Sequence, residues 1–393
     1  MIGLPVFVLI TMKITSLTLY KVKPRWVFLK VETDEGITGW GEPIVESRAD
    51  TSIAAVKELE GFLIGKDPCR IEHLFQLMYR GTFYRGGPIL MSAISGVEQA
   101  LWDIRGKSLG IPVYQLLGGA FRDKIKAYAW VGGDDPDNAP EDAKGRLEQG
   151  FRNIKMNAVG ACERIGSYVE IDAAVERLAA VRDVVGPEVG IGIDFHGRVH
   201  KSMAKTLVRE MESYRPLFYE EPLLPEHLDF LPELARHTSI PLATGERLYG
   251  RWGFKELIAQ GVVDLIQPDL SHCGGIFEGR KIAAMAEAYD IGVAPHCPLG
   301  PLALASSMQL DACTPNFVIQ EMSIKMQYNT SGDLLDCVKN EDVFNITDGY
   351  LSLPNQPGLG IEIDEEAVIE SDKEDFSWSP RDWFHEDGSV AEW

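Results

Sequence analysis

Polar residues that could bind a metal ion or move protons recur at a nearly constant interval through the middle of the chain. Each follows a short apolar run, and the positions are Asp194, Glu220, Glu246, Asp269, His296 and Glu321. They are about 25 residues apart, which is the length of one strand, one helix and two short loops. The spacing therefore predicts consecutive βα units, whose strand ends would bring these side chains to one rim.

Three of these positions are carboxylates that end consecutive predicted strands: Asp194, Glu220 and Glu246. Converging carboxylates repel one another, and their burial is costly unless a cation is present. A lone acid more often forms a salt bridge or caps a loop, but three at equal spacing predict a metal site, and oxygen ligands favour Mg²⁺ over zinc. Neighbours on a strand point to opposite faces, so we assign Glu220 to the metal and leave Glu221 to packing or a supporting contact.

Two histidines are predicted to lie on the same rim. His296 follows the strand after the one that ends in Asp269, and a carboxylate beside an imidazole can fix its tautomer and raise its basicity. His196 lies two residues after Asp194 and should project beside the metal. A lone histidine is more often a satisfied structural residue, but the shared rim favours a chemical role for both.

The elements that must position this rim are predicted to form a (β/α) barrel. Residues 124–131 and 153–158 supply its first two strands, and Lys155 and Asn157 share one face of the second. Amphipathic segments that predict helices lie between the polar positions, at residues 202–213, 227–236, 253–260, 276–289 and 301–313.

The chain before the barrel is predicted to form a separate α+β domain. Its strands are residues 13–22, 26–32 and 36–40, and its helices are residues 52–63, residues 71–80 and a helix that starts at Pro88. We therefore divide the chain into an N-terminal extension (1–11), a capping domain (12–120), the barrel (121–345) and a C-terminal segment that returns to the capping domain (346–393). The loop before Pro88 either covers the barrel mouth or only leads into its helix.

Composition limits the possible partners and the compartment. The 393 residues carry a formal net charge of −21, and the pI is about 4.8, which argues against nucleic-acid binding and is typical of an acidic soluble enzyme. Six cysteines form no C-x-x-C pair, so we expect reduced thiols in a cytoplasmic protein. Residues 1–11 are apolar but too short to cross a membrane, and no other stretch predicts membrane insertion.

Several motifs around the rim resemble the enolase superfamily, mandelate racemase subgroup. They are Asp194-Phe195-His196, Glu220-Glu221-Pro222, Gly245-Glu246-Arg247, Gln267-Pro268-Asp269 and Ala294-Pro295-His296. The resemblance implies an α/β fold with an α+β capping domain and a (β/α)7β barrel, one Mg²⁺ per subunit and a homo-oligomer. It also implies that the metal coordinates a carboxylate of the substrate.

The same resemblance implies a role for each polar residue. His296 would take the C2 proton, His196 would protonate the departing C3 hydroxyl, and Glu321 would steady the enediolate. Lys155 would favour the dianionic intermediate. By the same resemblance, racemases of the subgroup carry a Lys-x-Lys pattern on this strand, whereas this chain has Lys155-Met156-Asn157. The asparagine in place of the second lysine favours a dehydratase.

The expected reaction is dehydration of D-galactonate to 2-dehydro-3-deoxy-D-galactonate. The motifs Tyr84–Leu90, Trp130–Asp134 and His385–Trp393 are similar to dehydratases of this subgroup that act on that acid. Two alternatives stay open: a dehydratase of gluconate or a related epimer, and a non-catalytic relative that senses or stores a metabolite. Candidate contacts for substrate selection are Arg48, Tyr84 and Arg85 in the capping domain.

Overall fold

The computed structural model describes residues 12–133, 138–374 and 376–393. The predicted N-terminal extension (1–11) and Asp134 of the Trp130 motif lie outside the described residues. Among the residues that are described, no helix is both long and apolar enough to cross a membrane.

The first part of the chain forms an antiparallel sheet covered by helices. The strands pair in the order β1-β2-β3, and Gly36, with φ of 72°, makes the turn between the second and third. Pro88 occupies the first turn of the third helix, and Gly110 ends that helix in the left-handed region, as expected of these residues at helix ends. The elements are β1 (Ile14–Val22), β2 (Trp26–Thr33), β3 (Thr38–Gly41), α1 (Ala49–Leu63), α2 (Ile71–Arg80), α3 (Pro88–Leu109) and the short α4 (Val113–Leu116).

Eight parallel strands follow and form the predicted barrel. Neighbours in the chain pair with one another from β4 to β10, and β11 pairs with β4. A parallel bridge between Val293 and Phe317 joins the end of this series to the residues that lead into β11, so the ring of strands is complete. The strands are β4 (Lys124–Val131), β5 (Asn153–Asn157), β6 (Gly190–Asp194), β7 (Phe218–Glu220), β8 (Leu242–Thr244), β9 (Leu265–Ile266), β10 (Gly292–Val293) and β11 (Gln320–Met322).

Helices connect the barrel strands, and one prediction among them is wrong. The segment 227–236 is not one helix: only α8 (Leu231–Leu234) is α-helical, and 3₁₀ turns flank it. Pro232 lies inside this segment and lacks the amide donor that a continuous helix needs there. The other connecting helices are α5 (Ala139–Glu148), α6 (Tyr168–Val185), α7 (Lys201–Met211), α9 (Gly250–Gln260), α10 (Ile276–Glu287) and α11 (Pro301–Cys313).

Two buried carboxylates attach the capping domain to the barrel. Glu98 of α3 accepts hydrogen bonds from the amides of Ile276 (2.7 Å) and Phe277 (2.9 Å) at the start of α10. Glu42 accepts from the amides of Gly300 (2.7 Å) and Ala303 (3.0 Å) at the start of α11. Each carboxylate therefore caps a barrel helix, which satisfies amides that have no partner within the helix.

Glycines make room for both of these contacts. A Cβ atom at Gly275 would lie 2.0 Å from a carboxylate oxygen of Glu98, and one at Gly300 would lie 2.5 Å from Glu42. Burial raises the pKa of Glu98 to about 8 and that of Glu42 to about 7, against the opposing effect of the amide hydrogen bonds.

The last part of the chain touches both the barrel and the capping domain. A hairpin of β12 (Ile346–Thr347) and β13 (Tyr350–Ser352) adds antiparallel to the start of β4. Helix α12 (Glu365–Asp372) then lies beside β1, where Asp372 accepts a hydrogen bond of 2.7 Å from the amide of Lys21. The exact limits of the four segments proposed from the sequence remain a prediction.

Candidate active site

The predicted carboxylates lie at the carboxyl ends of neighbouring barrel strands. Asp194 and Glu220 end β6 and β7 and are directly paired in the sheet register. Glu246 follows β8 by two residues. Asp194 and Glu220 are almost fully buried, which removes them from water and makes their charges depend on neighbouring groups.

Lys155 lies among these carboxylates beneath the rim. Its Nζ atom is 2.5 Å from Glu220, 2.8 Å from Glu321 and 3.7 Å from Asp194. Burial opposes the charge of Lys155, but the two glutamates outweigh it and hold the pKa of this lysine well above its usual value. Burial raises the pKa of Glu220 far above the ordinary range, while Lys155 opposes that rise. The lysine therefore partly neutralises an otherwise acidic cluster.

The donor set fits a hard divalent cation. Oδ2 of Asp194 and Oε2 of Glu220 are buried and accept no hydrogen bond from the described residues, and carboxylate oxygens are the ligands that Mg²⁺ prefers. The described His, Cys, Asp and Glu side chains include no group of three that is already arranged around one point as metal ligands. Instead Glu246 faces His296 and Glu220 faces Lys155, so the carboxylates are turned toward protein cations.

His296 is held between carboxylates. Its Nδ1 atom is 2.8 Å from Oδ2 of Asp269, and its Nε2 atom is 3.2 Å from Glu246 and 3.9 Å from Glu321. Burial lowers the pKa of His296, but these three carboxylates outweigh burial and raise it well above 6.5. The contact with Asp269 leaves Nε2 as the ring nitrogen that faces the rim.

His196 has a different environment. Its φ of 53° places it in the left-handed region, and its amide donates to Oδ1 of Asp194 at 2.6 Å. Burial lowers the pKa of His196 to about 3; Asp194 opposes this shift, and Arg198 and Arg247 add to it. The ring lies against the indole of Trp393, with centroids 5.1 Å apart.

Glu321 and Asn157 complete the predicted set. Glu321 accepts hydrogen bonds from the indole of Trp130, from Lys155 and from the amide of Cys297, the last at 2.9 Å. Burial raises its pKa, but Lys155 and His296 outweigh burial and lower it. Asn157 donates to the carbonyl of Gly133 at 2.9 Å, and its Oδ1 has no partner among the described residues. Glu221, for which the sequence predicts packing or a supporting contact, is buried and paired with Arg247.

A cavity of about 310 Å³ opens above this rim and is bounded by all three parts of the chain. Its lining includes Asn157, Asp194, His196, Glu246 and His296 from the predicted set. Sequence reasoning missed several other lining residues, namely Val45, Glu46, Arg247, Tyr249, His272, Met326, Tyr328 and Trp393. Arg247 and Trp393 belong to motifs that the sequence analysis quotes but to which it assigns no role, and His272 lies three residues after Asp269. Glu46 and Tyr328 lie outside every quoted motif.

The three proposed capping-domain contacts do not line this cavity. Tyr84 is 81% exposed, and the guanidinium of Arg85 lies over the ring of Tyr79 at 5.8 Å. Arg48 donates to the carbonyl of its neighbour Ser47 at 3.0 Å. The capping domain reaches the cavity instead through Val45, Glu46 and Pro88, because the loop before α3 packs its Tyr84 and Arg85 toward α1 and α2.

Two family models match this chain. Residues 9–118 match the mandelate racemase / muconate lactonizing enzyme N-terminal domain, and residues 138–367 match the enolase C-terminal domain-like family. The chain belongs to the mandelate racemase / muconate lactonizing enzyme family. This membership confirms the resemblance inferred from the motifs, and it agrees with the capping domain and barrel described above.

The chain is also similar to known proteins over almost its full length. The chain is 55% identical over 385 residues to D-galactonate dehydratase of Pectobacterium atrosepticum, covering 97% of this chain and all of the relative. The enzyme of the same name from Cronobacter sakazakii is 54% identical over the same length and coverage. A solved enolase of Agrobacterium radiobacter with bound Na and L-malate is 34% identical, with a TM-score of 0.88 over 97% of this chain and 100% of that one.

Proposed function

We propose that this protein is a Mg²⁺-dependent hydro-lyase that converts D-galactonate to 2-dehydro-3-deoxy-D-galactonate. The observation that carries the proposal is the pairing of His296 with Asp269 beside three strand-end carboxylates, with His196 on the same cavity. The names of the full-length relatives support the choice of substrate. The alternative of a non-catalytic sensor does not require this complete set of acid, base and ligand groups.

Asp194, Glu220 and Glu246 would hold the metal. When bound, Mg²⁺ would stabilise the negative charge that develops on the substrate carboxylate as the neighbouring proton leaves. Asp194 and Glu220 each offer a buried oxygen with no hydrogen bond from the described residues. One such ion per subunit is therefore compatible with the chemistry of the donors.

His296 is the proposed base for the C2 proton. Asp269 holds Nδ1, so Nε2 is the nitrogen that accepts the proton. A base must be neutral before it acts, and the raised pKa of His296 comes from the carboxylates that face it. Of these carboxylates, Glu246 would also hold the metal, and a divalent cation there would favour the neutral imidazole that proton abstraction requires.

His196 is the proposed acid for the C3 hydroxyl. Burial and two arginines disfavour its imidazolium form in this structure. The substrate carboxylate and the enediolate bring negative charge into the same cavity, and nearby negative charge favours imidazolium. The proton would pass to the C3 oxygen as the C3–O bond breaks, and water would leave.

The remaining residues support these two steps. Lys155 lies below the rim, where its charge offsets the second negative charge of the enediolate. Glu321 already accepts three hydrogen bonds, so we propose that it steadies the intermediate by holding Lys155 and His296 in place. Asn157 occupies the position at which a racemase would carry a second base, and elimination requires no base there.

We also propose that the protein is a cytoplasmic homo-oligomer that binds a sugar acid and does not bind nucleic acid or membranes. The net charge of −21 disfavours nucleic-acid and anionic membrane surfaces. All six cysteines are free thiols, which fits a reducing compartment. Size-exclusion chromatography with light scattering would test the oligomer.

A turnover screen tests the proposed reaction. C5 and C6 aldonic acids are supplied with Mg²⁺ and again with a chelator, and 2-keto-3-deoxy product is measured. We expect Mg²⁺-dependent product from D-galactonate. Faster turnover of gluconate or another epimer would overturn the substrate but keep the reaction, and no turnover of any acid by folded, Mg²⁺-loaded protein would favour the sensor.

A further inference from the structure

The last described residues reach the cavity, where Trp393 contacts His196. The two rings meet edge to face, with an interplanar angle of 87° and centroids 5.1 Å apart, an arrangement that aromatic rings favour. Burial lowers the pKa of His196, and the nearby backbone of Trp393 opposes that shift. The Nδ1 atom of His196 has no partner among the described residues.

Trp393 is held in place by groups from separate parts of the chain. The rings of Tyr328 and Trp378 lie 6.1 Å and 6.4 Å from its indole. The guanidinium of Arg25, from the capping domain, lies over these two rings at 5.6 Å and 5.4 Å. This cluster fixes Trp393 relative to both the barrel and the capping domain.

Stability alone does not account for the placement of Trp393. Its indole N–H is buried and has no partner in the described part of the chain, and an unsatisfied buried donor opposes folding. His196 is also in the left-handed backbone region, which is unfavourable for a residue other than glycine. Strain and unsatisfied polar atoms are typical of positions that serve a function.

The two histidines of the cavity are therefore positioned by different residues. Asp269 holds one nitrogen of His296 and adds a negative charge, which suits a base. The backbone of Trp393 lies close to the imidazole of His196, and its indole ring packs edge to face against that imidazole. These contacts set the orientation of the His196 imidazole.

We propose that Trp393 is the positioning residue for His196, as Asp269 is for His296. The inference rests on the proposed dehydration. Trp393 acts only on the second half of the reaction, in which the His196 proton passes to the C3 oxygen, the C3–O bond breaks and the enediolate electrons form the new C2–C3 double bond. Proton abstraction from C2 depends on His296 and is independent of Trp393.

Reaction in D2O separates these two halves. Three variants are compared with the wild type: a chain that ends at Glu392, Trp393→Ala and Trp393→Phe. In the shortened chain we expect product formation to fall about 10²-fold, which is the usual contribution of a general acid. C2-deuterated galactonate should accumulate, because the enediolate returns to substrate when the hydroxyl is not protonated. Trp393→Ala should show a smaller loss, and Trp393→Phe should recover to within about threefold, because it restores an edge-to-face ring.

Phe384→Ala serves as the matched control. Phe384 lies in the same C-terminal segment, is 57% exposed and does not line the cavity, so this variant should keep wild-type product and deuterium incorporation. A parallel fall of product and deuterium in the Trp393 variants would overturn the proposal, because it would indicate a general structural role. Wild-type product formation by the shortened chain would overturn it as well. Failure of the wild type to form product would instead overturn the proposed function.

Discussion

Two groups of buried carboxylates in this molecule differ in how their oxygens are satisfied. Glu42 and Glu98, between the capping domain and the barrel, accept backbone hydrogen bonds on all of their oxygens. Asp194 and Glu220, on the barrel rim, each keep one buried oxygen that accepts none from the described residues. The hydrogen bonds of the first pair join the two domains, whereas the free oxygens of the second pair support the proposal that Asp194 and Glu220 bind a metal.

Burial alone does not reveal this difference. Burial raises the pKa of Glu98 to about 8, and it also raises the pKa of Glu246 to about 8. What separates these two carboxylates is the partner: helix amides for Glu98, and the imidazole of His296 for Glu246. A carboxylate with a strongly shifted pKa is thus a candidate catalytic or binding group only when structural hydrogen bonds do not already explain its burial.

The largest expected effect is the loss of activity in Glu220→Gln. A neutral amide is a poor ligand for Mg²⁺, so we expect kcat/KM for D-galactonate to fall about 10³-fold or more. The free energy of unfolding should change little, because Lys155 keeps its contact with Glu321. Steady-state kinetics and thermal unfolding with and without Mg²⁺ measure both quantities. Near-normal kcat/KM in Glu220→Gln would remove the basis for assigning this residue to the metal.

Asp269→Asn should have the second largest effect on rate. The amide can no longer stabilise a positive charge on His296, so we expect kcat to fall about 10²-fold to 10³-fold. C2 deuterium incorporation should fall in parallel with product, in contrast to the Trp393 variants. Ser92→Ala is a suitable control. The Oγ atom of Ser92 lies 2.8 Å from Nδ1 of His272, which lines the same cavity, and we expect its loss to lower kcat less than tenfold.

The contrast between the two groups also explains what could be predicted from the sequence. Asp194, Glu220 and Glu246 could be predicted because each ends or closely follows a strand at a regular interval, and parallel strands bring their ends together. Their convergence follows from local pattern plus fold class. His196 was found for the same reason, since it lies two residues beyond Asp194.

Contacts between distant segments could not be predicted in this way. Glu98 meets Ile276, Glu42 meets Gly300, and Trp393 meets His196, and no periodicity in the chain relates the members of these pairs. The proposed contacts Tyr84 and Arg85 failed to reach the cavity for the same reason. Which loop residue faces a barrel mouth depends on how the domains dock, and docking is set by these long-range hydrogen bonds.

A smaller effect on rate and a larger one on stability are expected for Glu98→Ala. The amides of Ile276 and Phe277 would lose their acceptor inside a buried interface, and an unsatisfied buried donor costs about 1–3 kcal/mol. We expect the free energy of unfolding to fall by about 3 kcal/mol and kcat to change less than tenfold. Chemical denaturation and kinetics on the same preparation decide the matter. A loss of rate as large as that of Glu220→Gln, without loss of stability, would mean that the two groups are not distinct.

The last expected effect is a change in how stability depends on pH. The folded-state pKa of Glu98, about 8, lies above its ordinary value of 4.5, so the folded protein binds more protons than the unfolded chain between these pH values. Its contribution to stability is therefore fully present below about pH 4.5 and is lost as the pH rises through 8. Glu98→Gln replaces the carboxyl group with one that does not titrate. Between pH 5 and 7 the free energy of unfolding of this variant should therefore decline less steeply than that of the wild type, by up to about 1.4 kcal/mol per pH unit. If the slopes of wild type and variant coincide, the helix amides keep Glu98 ionised, and the helix dipole outweighs burial at this contact.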